Sequence, residues 1–100
     1  MKATKKREDD RLTVAVEGSI DVKSAPELKE ELEGELEDIS ELVFDLTETS
    51  YTSSAGLRVF LGAYQTLSKR GGKMILKGVN PAFYDALEMA GFTYFLDIER

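Results

Sequence analysis

Alternating apolar and polar positions predict a half-buried strand near the start of the chain. Leu12, Val14 and Val16 alternate with polar residues across 11–17, so their side chains lie on one face of the strand. Residues 1–7 are polar and rich in lysine without clear alternation, which predicts a weak edge strand or a frayed end. The turn signals that bound the alternating strand are Asp9-Asp10 before it and Gly18 after it.

Short apolar runs predict further strands. Leu42–Leu46, within 41–47, is rich in strand formers, which is typical of a central strand covered on both sides. Asp45 is expected near the carboxyl end of this strand. Residues 73–79 predict another strand, and 92–98 predict a last short one.

Helical spacing of apolar residues predicts three helices. In the first, Ser24 and Glu27 have the spacing of a capping box, and Gly34 weakens the helix slightly. The last begins at Asn80-Pro81, where asparagine caps the helix and proline takes its first position, and it ends at Gly91. The buried faces of these two helices are marked by Ala25, Leu28, Leu32, Leu36 and Ile39 in the first, and by Phe83, Leu87 and Ala90 in the last.

The second helix is the longest of the three. It is predicted over about 53–70, after a loop of hydroxyl residues at 47–52, and Gly71-Gly72 ends it. Its apolar residues form two stripes, so the helix either packs on two sides or presents one side to a partner. The stripes are Gly56, Val59, Phe60, Ala63 and Leu67, and then Leu57, Leu61 and Tyr64.

The order of these elements predicts an α/β fold. Right-handed crossovers would build a mixed, mainly parallel sheet of four to five strands with an antiparallel N-terminal edge, packed with about three helices. One hundred residues are enough for one domain and not for two, so a single domain is expected over 1–100.

Composition narrows the function. The chain has no cysteine and no histidine, which excludes thiolate ligands, a cysteine nucleophile and a Ser-His-Asp arrangement. An enzyme is therefore the poorest candidate, and no metal or cofactor is predicted. A net charge of −6 argues against nucleic-acid binding, and no apolar run is long enough to cross a bilayer. A monomer in the cytoplasm is the default expectation.

The charges are unevenly distributed. Acids dominate residues 27–48, where Lys29 is the only base, and residues 58–84 hold five bases and no acid. Solvated helix faces explain this distribution, and so would a two-signed surface that orients a partner. The five bases are Arg58, Lys69, Arg70, Lys73 and Lys77.

The segment Ser53-Ser54-Ala55-Gly56-Leu57 is the strongest functional candidate. Two hydroxyls lie at the exposed start of the long helix, beside a glycine that lets another backbone approach, which suits a phosphoryl group. The plainer interpretation is that the serines only cap the helix and that the glycine only permits tight packing. Asp21 and Asp45 also have a structural explanation, as acceptors for backbone amides in their turns. Leu57, Leu61 and Tyr64 fit either a core or an interface.

Several motifs, in this order and spacing, resemble the STAS domain family, the fold shared by bacterial anti-sigma factor antagonists and the cytoplasmic tails of sulfate transporters. Gly18-Ser19-Ile20-Asp21 is similar to the Gly-x-Leu-Asp before that family's first helix, and Leu42–Leu46 is similar to its central strand. Ser54-Ala55-Gly56-Leu57 matches the Ser-x-Gly-Leu signature. The family's last helix and strand are matched by Val79-Asn80-Pro81 through Leu87 and by Gly91-Phe92.

The resemblance implies a regulatory switch. In antagonists of this family, the serine of the signature is phosphorylated by a serine kinase that is also the anti-sigma factor, and the unphosphorylated antagonist binds that kinase and frees the sigma factor. Ser54 is then the implied phosphoacceptor, with Ser53 as second choice, and Asp21 lies in the facing loop. The residues expected to bind the partner are Asp21, Ser53, Ser54, Gly56, Leu57, Arg58 and Leu61.

Two departures from the family pattern accompany this resemblance. Ser53 stands where relatives often have an acid, and the chain ends at Arg100 where many relatives carry a further helix. Two other functions stay open. One is a STAS scaffold or accessory domain of another signalling or transport complex. The other is a designed or idealised STAS-like scaffold without a partner, which the strong helix caps and the absence of His, Cys and Trp would fit.

Overall fold

The computed structural model describes residues 1–100, which form six strands, three α-helices and one 3₁₀ turn. The predicted α/β class and the three helices are confirmed. The sheet has six strands, whereas four to five were predicted. The strands are β1 (Lys2–Glu8), β2 (Arg11–Ile20), β3 (Glu41–Asp45), β4 (Thr49–Thr52), β5 (Lys73–Lys77) and β6 (Asp97–Ile98). The helices are α1 (Ser24–Leu32), α2 (Ser54–Ser68) and α3 (Pro81–Met89), and the 3₁₀ turn is Phe92–Tyr94.

The sheet is mixed and mainly parallel. Its order is β1-β2-β3-β5-β6, with β4 paired to the carboxyl end of β2, and only β1 runs antiparallel to its neighbour. Every crossover moves one place in the same direction, so right-handed connections put all helices on one face. On that face Phe44 of β3 contacts Phe60 of α2, with ring centroids 4.9 Å apart.

β3 is a central strand with buried residues on both faces, as predicted, but the helices cover only one of these faces. Val43 points to the opposite face, where its neighbours in the sheet are Thr13 and Ile75. It is nevertheless buried, because these adjacent strands and their side chains cover most of it. A continuous apolar run marks a central strand, but a central strand need not have helices on both faces.

The hydrophobic core lies between the sheet and the three helices. Phe60 lies at its centre, since its ring contacts Phe44 and lies 6.1 Å from Phe83 of α3. The predicted helical stripes supply most of the rest. Fully buried side chains in this core include Leu12, Val14, Val16, Leu28, Leu42, Leu67, Leu76 and Leu87.

Strand β4 lies where the sequence pattern predicted a loop, and β2 continues through Gly18, where the pattern predicted its end. The positive φ of Gly18, 92°, accommodates a bulge at which the pairing of β2 with β4 shifts register. Thr49 is buried, and its hydroxyl donates to the carbonyl of Val16 at 2.7 Å. The hydroxyl-rich segment therefore forms a strand because its side chains satisfy backbone groups that apolar residues would leave unpaired.

Helix α1 is shorter than the sequence predicts. It ends at Leu32, and Gly34 has a φ of 76°, so the chain turns there instead of continuing as a helix. Leu36 and Ile39 are still buried, which confirms the predicted apolar face but not the helical geometry beyond Leu32. The guanidinium of Arg70 donates to the carbonyls of both residues, at 3.0 Å for Ile39.

The two ends of the chain also differ from expectation. β1 is a full strand of seven residues, not a frayed end. The predicted strand over 92–98 begins instead with the 3₁₀ turn, in which the amide of Phe95 donates to the carbonyl of Phe92 at 3.3 Å, and only Asp97–Ile98 joins the sheet. The start of helix α3 is as predicted, since Asn80 accepts from the amide of Phe83 at 2.8 Å. Phe83 and Leu87 are buried as predicted, but the prediction for Ala90 is wrong. Ala90 is exposed, because the helix ends at Met89 and Gly91 turns the chain with a φ of 82°.

None of the helices combines the length and the apolar character needed to span a bilayer.

Arg70→Ala should destabilise the fold by about 1–2 kcal/mol, because two carbonyls in the segment after α1 lose a charged donor. Lys69→Ala is the matched control, since Lys69 is the adjacent exposed cation and its side chain makes no hydrogen bond or ion pair. Urea unfolding measures both. Equal losses for the two variants would contradict the assigned role of Arg70.

Candidate functional site at the start of helix α2

The carboxyl ends of β2 and β4 lie side by side and bring the predicted site residues together. Ile20 pairs with Thr52, and the amide of Ser53 donates to the carbonyl of Ile20 at 2.8 Å. Asp21 and Ser53, which follow these strands, are therefore neighbours although 32 residues separate them. The segments that carry Asp21 and the serine pair therefore leave the sheet at the same edge.

The two serines have different environments. Ser53 is the N-cap of α2: its backbone is extended, and its hydroxyl accepts from the amide of Gly56 at 3.3 Å. Ser54 is the first residue of the helix, is exposed, and makes no side-chain hydrogen bond within the chain. Ser53 thus has the structural role of a cap, whereas Ser54 presents a free hydroxyl to solvent.

Gly56 is buried at a close approach between α2 and the strand ends. A Cβ atom placed on it would overlap Thr52 Oγ1 and lie 2.8 Å from Ile20 Cγ2. The absence of a side chain therefore allows the first turn of α2 to lie directly against β2 and β4. Tight packing, the plainer interpretation of this glycine, is present, and it is what holds the serines at their position.

Asp21 caps α1, a role that the sequence pattern assigned to Ser24. Its Oδ1 accepts from the amides of Lys23 and Ser24, at 2.9 and 2.8 Å. In return, the hydroxyl of Ser24 accepts from the amide of Asp21 at 2.8 Å. The predicted box between Ser24 and Glu27 is therefore wrong, and the reciprocal pair lies three residues earlier, because the buried Ser24 hydroxyl also donates to the carbonyl of Ser19 at 3.1 Å.

These bonds favour the ionised form of Asp21. The backbone N–H of Ser24 and then its hydroxyl lower the pKa of the Asp21 carboxyl below its ordinary value of 3.8. Asp21 therefore carries a full negative charge beside the serine pair at neutral pH.

Asp45 has the structural role that its position indicated. It lies at the carboxyl end of β3, and its Oδ1 accepts from the hydroxyl and the amide of Thr47, at 2.6 and 3.1 Å. The hydroxyl and then the amide of Thr47 lower the pKa of Asp45. Asp45 thus fixes the turn after its strand and lies outside the group of residues around Ser54. No three acidic side chains lie close enough together to hold a metal ion.

The other predicted partner-binding residues lie on two sides of α2. Leu57 and Leu61 are half-buried and pack against the core, and they share a stripe with Tyr64, whose ring lies 4.9 Å from that of Phe95. Arg58 is exposed and faces α1. These apolar residues are therefore partly core and partly surface.

Two exposed side chains next to the serines were not predicted as site residues. Val22, directly after Asp21, is 73% exposed, and Tyr51, directly before Thr52, is 59% exposed. In the sequence, Tyr51 is the one aromatic residue in a run of serines and threonines, and this could have indicated an exposed contact residue beside the serine pair. Exposed valine and tyrosine side chains on the segments that carry Asp21 and the serine pair are suited to contact with a protein partner.

Comparison with known proteins identifies the family. The family model described as "STAS domain" matches residues 2–100, and the chain belongs to this family. The chain is 35% identical over 97 residues to an anti-sigma-B factor antagonist of Listeria monocytogenes, covering 96% of this chain and 85% of that protein. It is 32% identical over 93 residues to the anti-sigma-B factor antagonist of Bacillus subtilis, covering 93% and 85%.

Solved structures show the same fold. An anti-sigma factor antagonist from Mycobacterium paratuberculosis matches with a TM-score of 0.87 at 24% identity, covering 98% of this chain and 84% of that one. The phosphorylated form of the Bacillus cell fate determinant SpoIIAA matches with a TM-score of 0.79 at 13% identity, covering 97% and 90%. The predicted STAS fold is confirmed.

Gly56→Ala should destabilise the fold by about 1–3 kcal/mol, because the new methyl group would overlap Thr52 and Ile20. Gly62→Ala, on the same helix, has open space around its Cβ and should instead stabilise by about 0.5–1 kcal/mol. Thermal unfolding of both variants measures the difference. A stabilising Gly56→Ala would show that the close approach is not a constraint.

Asp21 should make stability depend on pH in the acidic range. The pKa of Asp21 is lower in the folded chain than in the unfolded chain. The stabilisation of the fold by the ionised carboxylate is therefore fully present above pH 3.8, the ordinary pKa, and it is lost as the pH falls through the pKa of the folded chain. Asp21→Asn should flatten this part of the stability curve, as measured by urea unfolding at a series of pH values. Asp97→Asn, an exposed aspartate without a side-chain hydrogen bond, is the control. Identical curves for Asp21→Asn and the native chain would contradict the assignment.

Proposed function

We propose that this chain is an anti-sigma factor antagonist that binds an anti-sigma factor with serine kinase activity, and that phosphorylation of Ser54 abolishes this binding. The observation that carries the proposal is the exposed, unbonded hydroxyl of Ser54 at the start of α2, in a chain whose relatives in Listeria and Bacillus are anti-sigma-B factor antagonists. The protein acts by binding and carries no catalytic role of its own. A function in transcription control places it in the bacterial cytoplasm.

The environment of the serine pair supports Ser54 as the acceptor. A kinase must reach the hydroxyl oxygen, and the Ser54 side chain is exposed with no partner to give up. The Ser53 hydroxyl is instead half-buried and already accepts from the Gly56 amide, so it would have to leave its capping position before a kinase could reach it. Ser54 is therefore modified at lower structural cost.

A phosphate on Ser54 is compatible with the fold. It would add roughly −1.5 to −2 charges at a helix N-terminus, where the helix dipole favours anions by about 0.3–1 kcal/mol. SpoIIAA has been solved in an unphosphorylated and a phosphorylated form, and both forms have the fold of this chain, each with a TM-score of 0.79. The effect of phosphorylation therefore falls on the partner.

Charge and desolvation explain why the partner is lost. Val22 and Tyr51 offer exposed apolar surface on the two segments that meet beside the serine pair, so a partner docked on them would cover Ser54 and exclude water from it. A phosphate at that position would have to lose its hydration beside the carboxylate of Asp21, which is ionised at neutral pH. Burying two like charges together is unfavourable, and the phosphorylated chain is released.

Incubation with an anti-sigma factor kinase and ATP should place one phosphate on Ser54, located by mass spectrometry. Ser54→Ala should accept no phosphate and bind the kinase constitutively, whereas Ser53→Ala, the matched control, should still be phosphorylated. Ser54→Asp should lower affinity with little change in melting temperature. Phosphate on Ser53 alone, or unfolding of Ser54→Asp, would contradict the proposal.

A further inference from the structure

A groove of about 730 Å³ runs between α1 and α2, beside the proposed phosphorylation site. We call it the trough. Its floor is made of small and medium apolar side chains, and residues on both rims are exposed, so it is open to solvent along one side. The apolar residues that line it are Val22, Ala25, Pro26, Leu32, Leu36, Ala55, Val59 and Ala63.

The trough has the length of a short helix. Both α1 and α2 follow parallel strands of one sheet and run back along them, so the two helices run in the same direction. On α2 the lining extends from Ala55 to Thr66, which at 1.5 Å per residue is about 17 Å, or three helical turns. Gly62 lies on this wall with nothing within 4 Å of its Cβ position, so another backbone can approach closely there.

The rims carry opposite charges in the two halves. Lys29 of α1 and Arg58 of α2 lie in the half nearer Ser54, whereas Glu33 and Glu37 lie in the other half. None of the four forms an ion pair or a side-chain hydrogen bond within the chain, although ion pairs occur nearby, as between Glu31 and Lys5. Their charges are therefore available to a partner.

We propose that the trough binds an amphipathic helix of the anti-sigma factor, with its acidic end at Lys29 and Arg58 and its basic end at Glu33 and Glu37. This inference rests on the proposed function. A helix fits the open side, the length and the apolar floor. An amphiphilic small molecule with one anionic head would leave Glu33 and Glu37 without a partner, and an enclosed pocket would suit it better than an open groove.

The same geometry connects the trough to the switch. Arg58 is four residues after Ser54 on α2, so both side chains lie on the same face of the helix. A phosphate on Ser54 is then a competing partner for the Arg58 guanidinium, and charge-assisted pairs of this kind are strong. Phosphorylation therefore withdraws a cation from the trough and places an anion near the acidic end of the docked helix.

Gly62→Leu tests the trough, because it fills the groove at a position where its Cβ meets no other atom. The variant should melt at or slightly above the native temperature, because leucine favours a helix more than glycine does. It should lose affinity for the anti-sigma factor by about tenfold or more, measured by isothermal titration calorimetry. Gln65→Leu, exposed on α2 and outside the trough, is the matched control and should bind as the native chain does. Arg58→Glu should also weaken binding, and Lys69→Glu, outside the trough, should do so much less.

The outcomes separate this inference from the function on which it rests. If the native chain binds the kinase and Gly62→Leu binds it equally well, the trough is not the docking site and the proposed function stands. If the native chain binds no anti-sigma factor kinase, both are overturned. Loss of binding in Gln65→Leu to the same extent as in Gly62→Leu would also overturn the trough, since the effect would then not depend on the groove.

Discussion

The arrangement of the candidate site depends on the close approach of α2 to the ends of β2 and β4 at Gly56. Because this residue has no Cβ, the first turn of the helix lies directly against Ile20 and Thr52. The amide of Ser53 then reaches the carbonyl of Ile20, and the serine hydroxyl turns inward to cap the helix. The next residue, Ser54, is left outside. One steric constraint therefore decides which of two adjacent hydroxyls is structural and which is accessible.

The two helices beside the site begin in related ways. At both helix starts, backbone amides that could otherwise bind a ligand are already hydrogen-bonded to side chains of this chain. Asp21 and Ser24 satisfy each other's backbone at the start of α1, and Ser53 satisfies Gly56 at the start of α2. With these caps in place, the local backbone needs nothing from Ser54 or from a partner. The domain is preorganised before it binds, so a change at Ser54 alters its surface without altering its fold.

Much of the fold follows from local sequence patterns, since elements with strong periodicity or caps leave little ambiguity. The alternation at Leu12, Val14 and Val16 and the Asn80-Pro81 helix start are examples. Patterns failed where a distant partner decides the local structure. β4 could not be predicted from its composition, because Thr49 is buried through a bond to Val16, 33 residues away. The capping role of Asp21 was missed for a different, local reason: the Ser24 hydroxyl donates to the carbonyl of Ser19 and accepts from the amide of Asp21, so it does not cap the helix toward Glu27.

The candidate site was partly predictable for the same reason. The serine pair and the glycine form a contiguous motif that can be recognised in the sequence. Val22 and Tyr51 are distant in the sequence, and only the pairing of β2 with β4 places their segments together. The trough is a property of two helices packed together, and neither helix alone indicates it.

Strand β1 is held to β2 by the two-residue turn Asp9-Asp10 and by backbone pairing, and its side chains add ion pairs in place of buried apolar contacts. Most of its side chains are exposed, so burial of apolar side chains contributes little to the pairing register between β1 and β2. Lys5 and Arg7 point toward the helix-covered side, where they meet Glu31, Glu35 and Asp38 at about 3 Å. A slip of one residue would turn both cations to the opposite face and separate them from these acids. These ion pairs at the edge of the sheet weaken as ionic strength rises, whereas the apolar side chains of β2, β3 and β5 hold the central strands without them.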